Sequence, residues 1–257
     1  MIPIRDENPT RTRPVVVWVL IALNVALFLF EWSLGPEGFQ AFTFLWGVIP
    51  ARLLSGYDVL AWITPLTSMF MHGGWMHIIG NMWFLFVFGD NVEDEVGRGR
   101  FVLFYLLCGL AAVAAQVAMD PTSRVPMVGA SGAIAGVLAG YVRLHPRARV
   151  LTLIPIFIFI QFVYLPAFLF IFIWFGLQLL SGVVSIGTIG QDVGGTAFFA
   201  HIGGFVAGYL LIPLFRQASG PTGRGRPPVV LRRREEVARS TGRPPPWRDD
   251  PRGGWMN

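Results

Sequence analysis

The chain has 257 residues, of which 54% are hydrophobic and only 14% charged, and its formal net charge is +5. A soluble domain carries roughly 25% charged residues, so one water-soluble core is excluded and a multi-spanning membrane protein is expected. All 20 basic residues are Arg, and ten of them (Arg216 to Arg252) lie in the last 42 residues, as the flank of a membrane domain rather than a nucleic-acid surface.

The first 14 residues contain Arg5, Arg11 and Arg13 and are expected on the cytoplasmic side. The run 15–32 is too long for a signal peptide, has no small-x-small cleavage site after it, and is predicted to be an uncleaved span. Residues 33–74 form a long, weakly charged connection suited to the membrane interface. Spans two, three and four are predicted at about 75–92, 101–119 and 127–143. Residues 150–183 are apolar for longer than the roughly 20 residues one span needs. Pro155 and Pro166 divide them into a loop or interfacial segment at 150–163 and a fifth span at 164–183. The sixth is predicted at 197–215. From 216 to 257 the Arg, Pro and Gly content predicts a disordered cytoplasmic tail. The acidic stretch "DNVEDEVGRGR" reads as a solvated turn with ion pairs, and His145 as a solvated loop residue. The lone Cys108 falls inside a span and reads as packing.

With the N-terminus inside, 18 arginines flank the inner side and only Arg52 and Arg124 the outer, which predicts N-in and C-in. Spans two, four and six then all start outside. Each carries a costly polar group near that start. Span two, "HGGWMHIIGNMWF", has His77 and Asn81 four apart on one face; span four has Ser131 in "VGASGAIAG"; span six, "FFAHIGGFVAG", has His201. At about 1.5 Å of rise per residue all lie roughly 3–9 Å below the outer surface. Gly132, Gly136 and Gly140 recur every four residues, as do Gly204 and Gly208. Such faces allow close helix approach, and their meeting would bring Ser131 to His201. A serine beside a histidine is the minimum kit of an activated nucleophile. Asn81, His77 and the Ser131 backbone N–H are candidate oxyanion donors. Each residue also has a bland reading, as packing serine, interhelical asparagine or buried histidine. His72 and His77 could suggest a metal pair, but their five-residue separation does not align helical ligands and no carboxylate or cysteine cluster joins them.

The segments "HGGWMHIIGN", "GASG" and "AHIGGFVAG", in that order on alternate spans, resemble the rhomboid family of intramembrane serine proteases from about residue 12 to 215. The resemblance implies an all-α, six-helix bundle. Its catalytic pair would be Ser131 as nucleophile and His201 as general base, without a carboxylate. Asn81, His77 and the Ser131 amide would form the oxyanion hole, with no cofactor and no metal. The substrates it implies are transmembrane proteins, cut near their outer end within the lipid bilayer. It also implies a lateral gate on span five, for which Trp174 and Phe175 are the candidates. Two positions depart from the family pattern. Trp62 is followed by Ile63 where an arginine is common, and Ala135 stands where many members stack an aromatic ring on the base histidine. An aromatic residue at 135 is therefore expected to be tolerated. The short termini and absence of a transit peptide suggest a prokaryotic plasma membrane, with the site facing outside. The alternatives are an inactive rhomboid-like binding or quality-control factor, and a transporter, whose polar sites would be expected near the midplane instead.

Overall fold

The computed structural model describes residues 1–156, 159–186 and 198–217. Residues 1–8 and 14–217 form one compact unit, and residues 9–13 fall outside it. Helices stand at all six predicted positions. They are α1 (Val15–Ser33), α5 (Trp75–Val96), α6 (Arg98–Met119), α7 (Ser131–Leu144), α8 (Ala167–Ile186) and α9 (Phe198–Phe215). The connection after α1 holds α2 (Gly35–Trp46), α3 (Pro50–Ser55), α4 (Thr64–Thr67) and two 3₁₀ turns at Val59–Ile63 and Ser68–Phe70. This is a membrane protein: α1, α6 and α9 are long and apolar enough to cross a bilayer, and large apolar side chains such as Trp18, Leu23, Phe30 and Leu210 stay exposed on their outer faces. In water such surface would drive association.

Small residues decide which helices meet. α9 packs against both α6 and α7, and the two glycine rows are the contact. A Cβ placed on Gly204 would strike the backbone carbonyl of Gly132, and one on Gly208 the carbonyl of Gly136. Cys108 and Ala112 of α6 close over the same row. On the other side of α7 an aromatic core joins α5 to α8, with Phe88 against Phe170 at 6.0 Å and against Tyr141 at 5.1 Å.

Three expectations are corrected. The segment expected as a loop or interfacial stretch at 150–163 is a hairpin of β2 (Arg149–Ile156) and β3 (Phe159–Pro166), and β2 pairs with β1 (Ile2–Asp6) in an antiparallel sheet ordered β1-β2-β3. The chain is therefore mostly helical rather than all-α, and the N-terminus is a strand. Spans four and five also start later, at Ser131 and Ala167. Pro126 and the positive φ of Gly129 hold 127–130 out of the helix, and Pro166, closing β3, restricts the residue before it to extended geometry. The acidic stretch is no solvated turn. Residues 90–96 form the last turns of α5, where Asn91 and Glu93 are buried, and 98–100 begin α6; the expected ion pairs are present, Glu93 with Arg98 at 4.0 Å and Glu95 with Arg216 at 3.6 Å. The Glu93 carboxylate accepts the N–H groups of Val16 and Val17 at 3.1 and 2.9 Å, a negative charge on the start of α1. Of the expected tail, only Arg216 and Gln217 are among the described residues; 218–257 lie outside them.

Candidate active site

Ser131 is the first residue of α7, so its side chain and N–H stand at the open end of the helix, where the first N–H groups have no intrahelical acceptor. The approach to it is held on both sides. Val48 and Met127 exchange backbone hydrogen bonds of 3.0 and 2.7 Å, and Gly129 N–H donates to the Ser68 carbonyl at 2.8 Å. Gly129 adopts φ +132°. Any Cβ there would lie 2.8 Å from the His77 ring, so this position needs glycine twice over.

His201, on the first turn of α9, is buried, and its Nε2 lies 2.8 Å from Ser131 Oγ. The turn that carries it is fixed by Gln116 of α6, whose Oε1 accepts the Ala200 N–H at 3.3 Å. Gln116 is a site-supporting residue that the sequence reading passed over, although a lone amide in "LAAVAAQVAM" was a signal.

His77 sits on α5 with its ring over Gly129. Its Nδ1 accepts the Gly73 N–H at 3.3 Å. A neutral imidazole whose Nδ1 accepts carries its proton on Nε2, and Nε2 is one of the two ring atoms nearest Gly129. The ring thus offers an N–H beside the serine. Asn81, one turn on, is buried, and among the described residues its Nδ2 has no hydrogen-bond partner. Unpaired buried amide donors are rare in folded proteins, which keeps Asn81 among the candidate site residues. His72 packs edge-on against His77 at 5.1 Å. Burial pushes its pKa down to about 3, with the neighbouring His77 acting in the same sense, and the imidazole is neutral. Its backbone N–H points to the buried Glu31 carboxylate at 3.5 Å. Among the described residues no three His, Cys, Asp or Glu side chains gather into a metal-holding group.

The two gate candidates have different surroundings. Trp174 lies between Phe84 of α5 at 5.6 Å and the His201 ring at 6.0 Å. Phe175 instead stacks on Phe205 of α9 at 4.4 Å. Ala135 is fully buried, and among the described residues an aromatic neighbour of His201 is Trp174, supplied from α8 rather than α7. In the first loop the arginine is Arg52, whose guanidinium meets Asp58 at 2.6 Å and the carbonyls of Phe44 and Leu45 at 2.9 and 2.8 Å, while Trp62 is exposed.

Comparison with known proteins gives a match to the Rhomboid domain over residues 60–218. The chain is 28% identical over 134 residues to "Rhomboid-like protein 11, chloroplastic" of Arabidopsis thaliana, covering 52% of this chain and 43% of that protein. It is 31% identical over 191 residues to "Rhomboid protease GluP" of Bacillus subtilis, covering 73% and 34%. It is 32% identical over 145 residues to "Putative rhomboid protease YdcA" of the same bacterium, covering 54% and 67%. The matched part spans less than half the length of the first two relatives.

Proposed function

The chain belongs to the rhomboid family, and from that premise we propose that it is an intramembrane serine endopeptidase with Ser131 as nucleophile and His201 as general base. The observation that carries this reading is the 2.8 Å approach of His201 Nε2 to Ser131 Oγ across two helices locked together by glycines. His201 takes the hydroxyl proton as Oγ attacks the scissile carbonyl, then returns it to the leaving amine. The charge that develops on the carbonyl oxygen is met by the His77 Nε2–H, the Asn81 amide and the Ser131 N–H. Water, activated by the same histidine, releases the acyl group.

On this reading six helices (α1, α5, α6, α7, α8 and α9) cross the bilayer, N-in and C-in, and the site faces outside a prokaryotic plasma membrane. Residues 15–215 are the catalytic domain and 216–257 a dispensable tail. Substrates are transmembrane segments that enter sideways between α5 and α8. Trp174, wedged between Phe84 and His201, is the side chain that must move to admit them, whereas Phe175 holds α8 to α9. Neither metal nor cofactor takes part.

The test is single-turnover cleavage of a model transmembrane substrate in liposomes by Ser131→Ala, His201→Ala and the double variant, with folding checked by thermal unfolding. Each single change is expected to remove nearly all the rate and the double to be no worse, as for groups that act as a unit. A serine-directed phosphonate should label Ser131 in the parent and far more slowly in His201→Ala. Substantial cleavage by Ser131→Ala would overturn the proposal, and a folded parent that neither cleaves nor labels would point to a non-catalytic rhomboid relative.

A further inference from the structure

Glu31, near the end of α1, is only 1% exposed, and the mechanism proposed above gives it no part. A carboxyl group inside an apolar helix of this kind is costly and marks function by default. Among the described residues it forms no ion pair, and its Oε1 has no hydrogen-bond partner. Its Oε2 accepts a backbone group, the His72 N–H, at 3.5 Å. The carboxyl therefore holds no opposite charge; it holds a peptide of the segment that enters α5.

That segment leads to the oxyanion donors. His72 is followed by Gly73 and Gly74, and α5 starts at Trp75. Two consecutive glycines leave their peptide groups free to turn, so the local sequence does not fix where the Gly73 N–H points. Yet this N–H, donated to His77 Nδ1 at 3.3 Å, is what places the ring proton on Nε2. The direction must come from outside the segment, and α1 supplies it. Phe28, Glu31 and Trp32, three and four residues apart, lie along one side of that helix. Glu31 holds the peptide N–H just before Gly73, while Phe28 and Trp32 pack on Trp75 at 4.9 and 5.5 Å. The glycine pair is thus gripped from α1 on both sides.

On the serine-peptidase reading, we propose that Glu31 is a positioning residue: by accepting the His72 N–H it orients the Gly73 N–H, and so keeps His77 in the tautomer that presents Nε2–H to the oxyanion. Glu31 itself touches neither substrate nor reacting atoms. The acceptor oxygen matters rather than the charge, so a glutamine serves in its place.

Glu31→Leu removes the acceptor and Glu31→Gln keeps it. Losing the orientation of His77 costs less than losing a whole oxyanion donor, which is worth about 100- to 1000-fold. Single-turnover cleavage in liposomes is therefore expected to fall about 10- to 100-fold in Glu31→Leu and to stay within a few-fold of the parent in Glu31→Gln. The thermal midpoint of Glu31→Leu should match or exceed the parent's, because a buried carboxyl gives way to an apolar side chain of similar size. In a His77→Ala background, Glu31→Leu should bring no further loss. Parental cleavage by Glu31→Leu, a loss that tracks a lowered midpoint, or a loss that multiplies fully with that of His77→Ala overturns the proposal. Glu31→Met repeats the measurement if Glu31→Leu does not fold. Imidazole nitrogen NMR, with the His77 signal assigned by its loss in His77→Ala, reads the tautomer without any peptidase activity and so separates this proposal from the catalytic reading. The parent is expected to show Nε2–H, and Glu31→Leu a mixture of tautomers; an unchanged His77 signal in Glu31→Leu overturns the proposal even where the parent cleaves.

Discussion

Gly204→Ala probes the joint on which the site depends. A Cβ on Gly204 would overlap the backbone carbonyl oxygen of Gly132 and lie 2.8 Å from its carbon and 3.3 Å from its Cα. Carbon atoms rest at about 3.5–4.0 Å, and a helix backbone cannot step aside as a side chain can, so α7 and α9 must part by about 1 Å. Gly132 adjoins Ser131, and Gly204 is three residues from His201, so the separation is felt directly in the 2.8 Å contact between them. A misplacement of about 1 Å can cost on the order of 100-fold in rate, and overpacking of this kind costs about 1–3 kcal/mol. Gly99→Ala is the control, since nothing lies within 4 Å of a Cβ there. Single-turnover cleavage and phosphonate labelling, beside thermal unfolding in the same detergent, read both effects. A folded Gly204→Ala protein that cleaves and labels at the parent rate refutes the argument that the glycine contact sets the Ser131–His201 distance.

Asn81→Ala should lower single-turnover cleavage by about 100- to 1000-fold, the worth of one oxyanion donor, without a lower thermal midpoint, because its Nδ2 has no partner to lose; parental turnover would remove it from the site. Ala135→Phe, which the sequence alone suggested would be tolerated, should instead destabilise the fold by about 1–3 kcal/mol, since Ala135 is fully buried; an unchanged melting midpoint would show that α7 has room there. Burial raises the Asp6 carboxyl from 3.8 to about 6, the Tyr141 hydrogen bond opposing it more weakly. The folded state therefore holds this proton longer than the unfolded one. Its contribution to stability is whole below pH 3.8, declines as pH rises to about 6 and is level above. Melting midpoints of the parent relative to Asp6→Asn should fall over that window, and a relative rise there would contradict the assignment.

The sequence alone determined a good deal of this protein. Helix positions followed from long apolar runs, because an apolar run must be a helix if it is to bury its own backbone in lipid. The glycine rows at 132, 136, 140 and at 204, 208 foretold a close contact, because a four-residue spacing puts small residues on one face. Ser131 and His201 stood out as polar groups at matching depth. Only the tertiary structure decided what depends on residues far apart in the chain. The β2–β3 hairpin was illegible because apolar residues run almost unbroken through it, with Arg149, Thr152 and Gln161 too few to show the two-residue alternation that marks a half-buried strand, and its partner β1 lies nearly 150 residues away. Glu93 looked solvated until α1 brought the Val16 and Val17 N–H groups to it. The ring beside His201 could not be found by counting four residues from Ser131. It comes from Trp174 on α8, and side chains on different helices become neighbours only when the helices pack.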